Sequence, residues 1–313
     1  MSHCLVTGGA GFIGSHLAHA LVEQGWTVRI LDNLSTGHEY NMAAFRERVE
    51  FVEGSITDAG TARRCCEGVD VVFHEAALAS VPRSVADPYE SNRHNVDGTL
   101  TMLIAARDAG VKRFVYAASS SAYGDNPELP KTEDMRYAPM SPYAVNKYVG
   151  ELYLSVFDQL YDLSCVGVRY FNVFGPRQDP QSQYAAVIPL FITKALAGEA
   201  PVINGDGSFS RDFTFIDNVV HANICAAKAD HPGGRTVNVA CGDRVSLNEL
   251  YDLIQKHAGT DIPAVYGPVR AGDVPHSQAD ISLAKTVIGY EPIVDFATGL
   301  ERTVAWYKQS QPA

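Results

Sequence analysis

The sequence has no apolar run long enough to cross a membrane and few basic residues for its acidic content. No stretch approaches the roughly 18 consecutive apolar residues that a membrane-spanning helix needs. The 313 residues include 25 lysines and arginines against 36 aspartates and glutamates, a net charge of −11. Such a surface repels the phosphates of nucleic acids and anionic lipids. We therefore expect neither a nucleic acid nor a membrane among the partners of this protein.

Cysteine is scarce and lacks metal-ligand or redox spacing. The six cysteines form no C-x-x-C pair and are not spaced from histidines as in a metal site, so we expect no metal ion. Several lie in apolar runs, where a thiol behaves as a small buried hydrophobe. A strand-like run begins at Cys4 in place of a signal-peptide pattern. These features predict a cytoplasmic protein with reduced thiols.

The composition is that of a globular chain with a substantial core. Apolar residues make up 46% and charged residues 19%, which excludes collagen, coiled coil and intrinsic disorder. No tandem repeat, low-complexity tract or Ser/Gly linker divides the chain, so we expect its parts to share one body.

The first 170 residues alternate short apolar runs with longer amphipathic stretches. This alternation predicts an α/β fold in which helices cover both faces of a parallel sheet. The predicted strands are Cys4–Thr7, Thr27–Leu31, Val49–Val52, Val69–His74, Arg113–Ala118 and Ser164–Arg169. The predicted helices include Phe12–Gln24, Ala59–Cys66, Glu90–Ala109 and Pro142–Tyr161. From about Asn172, glycine, proline and aspartate become frequent, which predicts a loop-rich second lobe beside the open end of the sheet.

A glycine-rich turn follows the first predicted strand. Gly8, Gly11 and Gly14 form G-x-x-G-x-x-G where a helix begins. Residues without a Cβ permit a tight turn and let backbone N–H groups approach a pyrophosphate. The second strand is followed by Asp32, where an acid would accept hydrogen bonds from an adenosine ribose. Asp32 would repel a 2′-phosphate, so the pattern predicts NAD rather than NADP.

A tyrosine and a lysine share one face of a predicted helix. Ser141 is a predicted N-cap and Pro142 suits the first helical position. Tyr143 and Lys147 then lie four residues apart on the same face. A neighbouring ammonium and a cationic nicotinamide would both favour the phenolate, which makes Tyr143 a candidate base. Taken alone, such a pair is also ordinary on an exposed helix.

The stretch Tyr116–Gly124 begins as a buried strand and ends in a hydroxyl-rich turn that contains Ser119 and Ser121. Open α/β sheets bind ligands beyond the carboxyl ends of their strands, which is where this turn lies. The same hydroxyls also suit a purely structural role, because serine side chains bond to nearby backbone in turns.

In order and spacing these motifs resemble the extended short-chain dehydrogenase/reductase family over essentially the whole chain. The matching features are Gly8–Gly14, Asp32, His74–Ala77, Asn95, Ser119 and the Tyr143/Lys147 pair. The segments Arg169–Asn172, Gly205–Asp212 and Arg270–Asp273 match where nucleotide-sugar enzymes of that family hold a UDP-sugar. Ser80–Ser84, Tyr116–Tyr123 and Asn172–Pro189 are most similar to bacterial UDP-N-acetylglucosamine 4-epimerases, which interconvert UDP-GlcNAc and UDP-GalNAc.

The resemblance implies a Rossmann-type doubly wound parallel sheet, with residues 1–170 as the NAD-binding domain and a return of the chain to it around 213–240. It implies that 171–313 form mainly a smaller α/β lobe that binds a UDP-sugar. It also implies a homodimer joined by a four-helix bundle of the helices predicted at Glu90–Ala109 and Pro142–Tyr161. The implied cofactor-binding residues are Gly8, Gly11, Phe12, Ile13, Gly14, Asp32, Asn33, Ser35, Thr36, Gly37, Ser55, Ile56, Ala76, Ala77, Asn95, Tyr143, Lys147, Tyr170 and Val173. The implied substrate-binding residues are Ser80, Ser119, Ser121, Tyr143, Asn172, Ala186, Val187, Val202, Asn204, Arg211, Arg270, Asp273 and Ser277.

A 4-epimerase of this family removes hydride from C4 of the sugar and returns it to the other face. The resemblance makes Tyr143 the base and acid at the C4 oxygen, Lys147 the cation that holds it ionised, and Ser119 a partner in proton transfer. Dehydratases and decarboxylases of the family carry acidic side chains after the catalytic hydroxyl. This chain has Ser120 and Ser121 there, which disfavours dehydration.

Four further positions bear on the ligands. Arg211 and Arg270 are expected to hold the diphosphate with a donor from Asn172, although surface arginines without that role remain an alternative. Ser277 stands where the family has a gate beside the sugar's 2-substituent, and a small residue leaves room for an N-acetyl group. Ser55 replaces an aspartate that accepts from adenine, so we expect looser cofactor binding, while nearby Asp58 is expected to cap the next helix.

Two other functions remain open on the sequence. One is a 4-epimerase whose main substrate is UDP-Glc or UDP-glucuronate. The other is a non-catalytic NAD-sensing regulator on the same fold, which the presence of Tyr143 and Lys147 disfavours.

Overall fold

A computed structural model of the chain describes residues 2–180, 186–269 and 274–310. The strands in these ranges are β1 (His3–Thr7), β2 (Thr27–Asp32), β3 (Val49–Glu53), β4 (Val71–His74), β5 (Arg113–Ser119), β6 (Ser164–Tyr170), β7 (Val173–Phe174), β8 (Val202–Asn204), β9 (Ser210–Arg211), β10 (Thr214–Phe215), β11 (Thr236–Val239), β12 (Val245–Ser246) and β13 (Val265–Gly267). The α-helices are α1 (Phe12–Glu23), α2 (Ala59–Cys66), α3 (Val81–Ala86), α4 (Pro88–Asn92), α5 (Gly98–Asp108), α6 (Pro142–Leu160), α7 (Val187–Leu196), α8 (Ile216–Lys228), α9 (Leu247–Ala258), α10 (Ser282–Ile288) and α11 (Phe296–Ser310).

Seven strands form one parallel sheet in the order β3-β2-β1-β4-β5-β6-β11. The winding direction reverses between β1 and β4, so the sheet is doubly wound, which confirms the predicted fold class. β11 pairs with β6, and the chain therefore returns to the sheet after its first loop-rich segment. Open α/β sheets bind ligands beyond the carboxyl ends of their strands at such a reversal.

Both faces of the sheet are buried at its inner strands β1, β4, β5 and β6, which explains why these strands are nearly continuous apolar runs. Val6, Val115 and Val168 lie in a core that includes residues of α1 and α8. Leu5 and Phe114 lie in a second core, which includes residues of α2, α5 and α6. Successive strand residues thus serve opposite faces, as the pleat requires.

The second half of the chain shares the first of these cores. Phe191 of α7, Leu250 of α9 and Val304 of α11 belong to the same cluster as Val6 of the sheet. Around them the structure places three two-stranded pairings, β10 with β7, β12 with β9, and β13 with β8. The two halves therefore do not have separate apolar interiors. No helix among the described residues is long and apolar enough to span a bilayer.

The six predicted strands are confirmed, although five of them are one residue longer than predicted and β4 is two residues shorter. β4 begins at Val71 rather than Val69. The backbone N–H of Val69 donates to the carbonyl of Cys66 at 3.3 Å, so this residue still belongs to the turn that ends α2. Val69 is apolar, but its backbone closes the turn after α2, and it therefore lies outside the strand.

The prediction of one helix over Glu90–Ala109 is wrong. α4 and α5 are joined by a π-helical turn over Arg93–Asp97. The turn contains Asn95, whose Oδ1 accepts from the Leu78 N–H at 2.8 Å and whose Nδ2 donates to the Leu78 carbonyl at 3.3 Å. A π turn inserts one residue into the helix and changes the direction of its side chains. Here it turns the Asn95 amide toward the loop that follows β4.

Two predicted helix caps are confirmed. The Ser141 hydroxyl accepts from the Ala144 N–H at 3.2 Å, and Pro142 occupies the first turn of α6. The Asp58 carboxylate accepts from the Thr61 N–H at 2.6 Å at the start of α2. Each cap satisfies a backbone donor that has no partner within the helix.

Candidate active site

A cavity of about 280 Å³, called here the first cavity, lies beyond the carboxyl ends of β1, β2, β3 and β4. It includes the point where the winding of the sheet reverses. Its lining residues are Gly8, Gly11, Phe12, Ile13, Gly14, Leu31, Asp32, Asn33, Ser35, Thr36, Gly37, Gly54, Ile56, Glu75, Ala76, Ala77, Leu78, Ala79 and His94. The structure thus brings together the glycine turn, Asp32 and the stretch after it that the sequence predicted to bind the cofactor.

The glycine turn after β1 is too tight for side chains. Gly8 has φ +70°, and a Cβ on Gly14 would lie 2.2 Å from the Gly8 carbonyl oxygen. The Gly11 N–H donates to that oxygen at 3.0 Å. α1 begins after Gly11 without a side-chain cap or an acidic residue in its first turn. The backbone and the helix N-terminus are therefore arranged as a pyrophosphate group requires.

Asp32 accepts hydrogen bonds from nearby backbone and also lines the first cavity. Its Oδ2 accepts from the Ala10 N–H at 2.9 Å, and its Oδ1 accepts from the Leu34 N–H at 2.8 Å. Burial raises the pKa of this carboxyl group, and the backbone hydrogen bonds oppose that shift. Each carboxylate oxygen has two lone pairs, so Asp32 can still accept from ribose hydroxyls.

Two predicted cofactor residues make contacts inside the protein. The Ser55 hydroxyl lies 2.8 Å from the Thr57 hydroxyl and accepts from the Thr57 N–H at 3.2 Å. Neither Ser55 nor Asn95 lines the first cavity. Ser55 thus serves the turn after β3, and Asn95 holds the backbone of Leu78, which does line the cavity.

Tyr143, Lys147 and Ser119 meet at the carboxyl end of β5. Lys147 is buried, and its Nζ donates to the Ala117 carbonyl at 2.7 Å. Burial lowers the pKa of Lys147 to about 8, while Glu75 and Glu151 oppose that shift. Burial raises the pKa of the Tyr143 phenol, and a hydrogen bond with Ser119 opposes that rise. A phenol, a hydroxyl and an ammonium group at one strand end can take up and return a proton.

The turn after Ser119 is built from hydroxyl groups. The Oγ atoms of Ser119 and Ser121 lie 2.9 Å apart, and the Ser121 N–H donates to Ser119 Oγ at 3.3 Å. Ser120 and Ser121 therefore place no carboxyl group beside Tyr143. Ser80 caps α3 by accepting from the Arg83 N–H at 3.2 Å.

A second cavity of about 580 Å³ lies among β7, α7 and β8. Seven predicted ligand residues line it, namely Asn172, Val173, Ala186, Val187, Val202, Asn204 and Arg211. Arg211 donates through Nη1 to the carbonyls of Ser210 and Pro275, each at 3.0 Å. The predicted residues Arg270 and Asp273 lie outside the described residues.

Asn172 joins this cavity to Ser277. Its Nδ2 donates to the Asp212 carbonyl at 2.9 Å and to Ser277 Oγ at 3.1 Å. Both N–H bonds of the amide are thus directed at the protein. Ser277 does not itself line the cavity, but it is hydrogen-bonded to Asn172, which does.

Sequence reasoning did not single out His94 and Arg177, and it included Glu75 only within the matching segment His74–Ala77. Glu75 and His94 line the first cavity. Tyr170, at the end of β6, donates to Glu75 Oε1 at 2.8 Å. Arg177 has φ +65°, and its Nη1 lies 3.5 Å from Ser15 Oγ in the first turn of α1. No local pattern marks His94 and Arg177, since each reaches the site through the folding of distant segments.

In the ranges that the structure covers, no group of three or more histidine, cysteine, aspartate or glutamate side chains could hold a metal ion. Cys4, Cys65, Cys66 and Cys165 are buried and unpaired, and burial raises the pKa of the Cys4 thiol to about 12.

Comparison with known proteins identifies the family to which these features belong. The model of the NAD dependent epimerase/dehydratase family matches residues 4–240. A UDP-glucose 4-epimerase of Mycolicibacterium smegmatis is 41% identical over 308 residues, which cover 97% of this chain and 98% of that protein. A UDP-N-acetylglucosamine 4-epimerase structure from Methanobrevibacter ruminantium, in complex with UDP-N-acetylmuramic acid, has a TM-score of 0.95 at 42% identity and 99% coverage of both chains. A UDP-glucose 4-epimerase structure from Thermotoga maritima, with UDP-glucose, has a TM-score of 0.93 at 38% identity, covering 98% of this chain and 99% of that one.

Proposed function

This chain belongs to the NAD-dependent epimerase/dehydratase family, and we propose that within it the protein interconverts UDP-GlcNAc and UDP-GalNAc by epimerisation at C4, with UDP-Glc and UDP-Gal as further substrates. The observation that supports the choice of sugar is the small side chain of Ser277 at the edge of the second cavity. The short Ser277 side chain would leave space at C2 of the sugar for an N-acetyl group. The chain is 42% identical to a UDP-N-acetylglucosamine 4-epimerase and 41% identical to a UDP-glucose 4-epimerase, which supports both kinds of sugar as substrates.

The first cavity fits NAD. Gly8, Gly11 and Gly14 provide a backbone cradle that any Cβ would fill, and they would hold the pyrophosphate at the start of α1. Asp32 would accept from the adenosine ribose, and Arg177 would add positive charge beside the first turn of α1. When bound, NAD supplies an acceptor and donor of hydride.

Tyr143, Ser119 and Lys147 would handle the proton of the reaction. The Tyr143 phenolate would take the proton from the C4 hydroxyl as the hydride leaves C4, and would return it when the hydride comes back to the other face. Ser119, which is hydrogen-bonded to Tyr143, would contact the same C4 oxygen of the sugar. The ammonium group of Lys147, held by the Ala117 carbonyl, favours the phenolate by its charge.

The second cavity would hold the UDP-sugar. Arg211 lines it and presents a planar donor fork, which suits a diphosphate. We propose that Arg270 adds a second guanidinium to the same group. Residues 1–170, with the return of the chain at β11, would then hold NAD, and the remainder would mainly hold the nucleotide sugar.

We also propose a homodimer through a bundle formed by α5 and α6 of both copies. Val145, Leu152 and Val156 of α6 are 44%, 51% and 45% exposed, and Ile104 of α5 is 39% exposed. Val145, Leu152 and Val156 recur at spacings of seven and four, which place them on one face of the helix. An apolar face of this kind is stabilised when a second copy covers it.

The experiment that tests the function is an incubation of purified protein with UDP-GlcNAc, with and without added NAD, followed by separation of the sugar nucleotides. We expect UDP-GalNAc to rise to a fixed ratio without net formation of NADH. Conversion of UDP-Glc or UDP-glucuronate with none of UDP-GlcNAc would keep the reaction type and overturn the choice of sugar.

A further inference from the structure

Glu75 lies where the winding of the sheet reverses, and the proposed proton transfer assigns it no role. It directly follows β4 and lines the first cavity. Its Oε1 accepts from the hydroxyl of Tyr170 at 2.8 Å. Tyr170 ends β6, which β5 separates from β4. The Glu75 side chain therefore extends away from β1 and the glycine turn, toward the strand ends where Ser119 and Lys147 lie.

The hydrogen bonds around Tyr170 favour the carboxylate form of Glu75. Asn223 of α8 donates through Nδ2 to the Tyr170 hydroxyl oxygen at 2.7 Å. An amide nitrogen can only donate, so the proton of the phenol is directed at Glu75 Oε1. A group that accepts such a bond is stabilised in its charged form. Burial acts in the opposite direction and raises the pKa of Glu75 to about 7.

Among the described residues at the carboxyl ends of β4, β5 and β6 and on the part of α6 beside them, the ionisable groups other than Glu75 and Lys147 are neutral or already paired. Burial lowers the pKa of His74, on β4, to about 3, so that imidazole is uncharged. Burial raises the pKa of Tyr170 on β6, of Tyr116 on β5 and of Tyr143 on α6, which keeps these phenols neutral in the resting protein. Glu151 of α6 forms an ion pair with Arg169 of β6 at 2.5 Å. Glu75 and Lys147 therefore set the local charge.

We propose that the Glu75 carboxylate makes the site bind the cationic nicotinamide of NAD⁺ in preference to the neutral ring of NADH. This inference assumes that the nicotinamide lies beside Tyr143 and Lys147, as in the proposed function. A carboxylate and a cation attract each other more strongly in a partly buried site than in water. An epimerase that starts each cycle with oxidised cofactor gains from this preference, because reduced cofactor cannot accept hydride.

The preference has a defined pH dependence. Above the pKa of Glu75, near 7, the carboxyl is charged and attracts the cationic ring. Below that pKa the carboxyl is neutral and the preference is lost. Since NAD⁺ binding itself favours the charged form, the midpoint with NAD⁺ present lies below that of the free protein.

Binding of the two cofactor forms to the apo-protein tests the proposal without any sugar. NADH fluorescence gives the Kd for NADH, and competition gives the Kd for NAD⁺, at about pH 6 and about pH 7.5, both below the pKa of about 8 at which Lys147 loses its charge. For the natural protein we expect the NAD⁺/NADH affinity ratio to be about tenfold higher at the higher pH. Glu75→Gln keeps an acceptor for Tyr170. At both pH values its NAD⁺/NADH affinity ratio should equal that of the natural protein at the lower pH. Glu301→Gln removes an exposed acid on α11 and should behave as the natural protein.

A ratio that Glu75→Gln leaves unchanged at both pH values would overturn the proposal. A merely structural role of Glu75 would weaken NAD⁺ and NADH equally, so an equal loss would overturn it too. Tyr170→Phe removes the hydrogen bond that stabilises the carboxylate, and we expect the midpoint of the ratio to move to higher pH. An unmoved midpoint would show that another group titrates. Since no sugar is present, a wrong assignment of the sugar substrate does not affect these results.

Discussion

The side-chain amide of Asn172 donates to the hydroxyl of Ser277 at 3.1 Å, across 105 positions of the chain. Asn172 lines the second cavity and has φ +33°, a conformation in which asparagine is enriched among residues with side chains. The backbone N–H of Ser277 donates to the Ser210 carbonyl at 3.1 Å, so the residue is held from two sides. Its small side chain is therefore placed at the cavity edge by the fold.

Ser277→Tyr should remove turnover of N-acetylated substrates and retain that of UDP-Glc and UDP-Gal. The phenol ring would occupy the space that the N-acetyl group needs, whereas a 2-hydroxyl group needs less room. Ser277→Ala is the matched control, because it also loses the Asn172 bond but remains small, and it should convert both kinds of sugar. Product separation with each substrate measures the effect. An equal loss of both activities in Ser277→Tyr would contradict a gate at this position.

Tyr143→Phe should lower the rate of epimerisation by on the order of 10²–10⁴-fold, because it removes the phenol that we propose takes the C4 proton. Binding of NAD should persist, since the variant keeps the ring and the packing of α6. Tyr148→Phe, one residue after Lys147, removes a phenol hydroxyl from the same helix and should leave the rate unchanged. Comparable losses in the two variants would show that Tyr143 is not the base.

Ser55→Asp should raise the amount of NAD that the purified protein retains. The Ser55 hydroxyl is bonded to Thr57, and it offers adenine no carboxylate. We expect the unmodified protein to carry less than one NAD per chain, measured by release of cofactor on denaturation. Ser55→Ala, which loses the Thr57 contact without adding an acceptor, should not raise retention. Full occupancy in the unmodified protein would refute this expectation.

Glu151→Gln should lower the free energy of unfolding by about 3 kcal/mol, because it leaves the buried Arg169 guanidinium without a counter-charge. Arg169 is fully buried, and the ion pair measures 2.5 Å. Glu291→Gln, which removes an exposed partner of Lys285, should cost less than about 1 kcal/mol. Denaturant unfolding monitored by tryptophan fluorescence compares the two. Similar losses would show that burial does not distinguish the pairs.

Leu152→Glu should convert the proposed dimer to a monomer. The substitution places a charge on the exposed apolar face of α6, where a second copy would otherwise exclude water. Ile293→Glu, at a position that is 61% exposed elsewhere, is the control and should remain dimeric. Sedimentation velocity measures the mass of each variant. If the unmodified protein sediments as a monomer, the dimer proposal fails before any variant is needed.

Features that depend on a few neighbouring residues were predictable from the sequence. The glycine turn, Asp32 near the end of β2 and the Ser141 cap that starts α6 follow from turn, strand and capping preferences, which act within about four residues. The spacing of Tyr143 and Lys147 follows from the same helix. The glycine turn and Asp32 predicted NAD as the cofactor, and the family comparison confirmed it.

The folded structure decided which distant side chains contact one another around these local features. It placed the Tyr170 hydroxyl between Glu75, to which it donates, and Asn223, from which it accepts. It directed Ser55 at Thr57 and interrupted the predicted helix with a π turn at Arg93–Asp97. It also placed Ser277 against Asn172. Such contacts depend on which strands become neighbours and on how helices pack over them, and no local preference determines either. The sequence alone thus determined the residues available for cofactor binding and proton transfer, whereas tertiary packing decided their partners and charge states, because burial and long-range hydrogen bonds exist only once the sheet has formed.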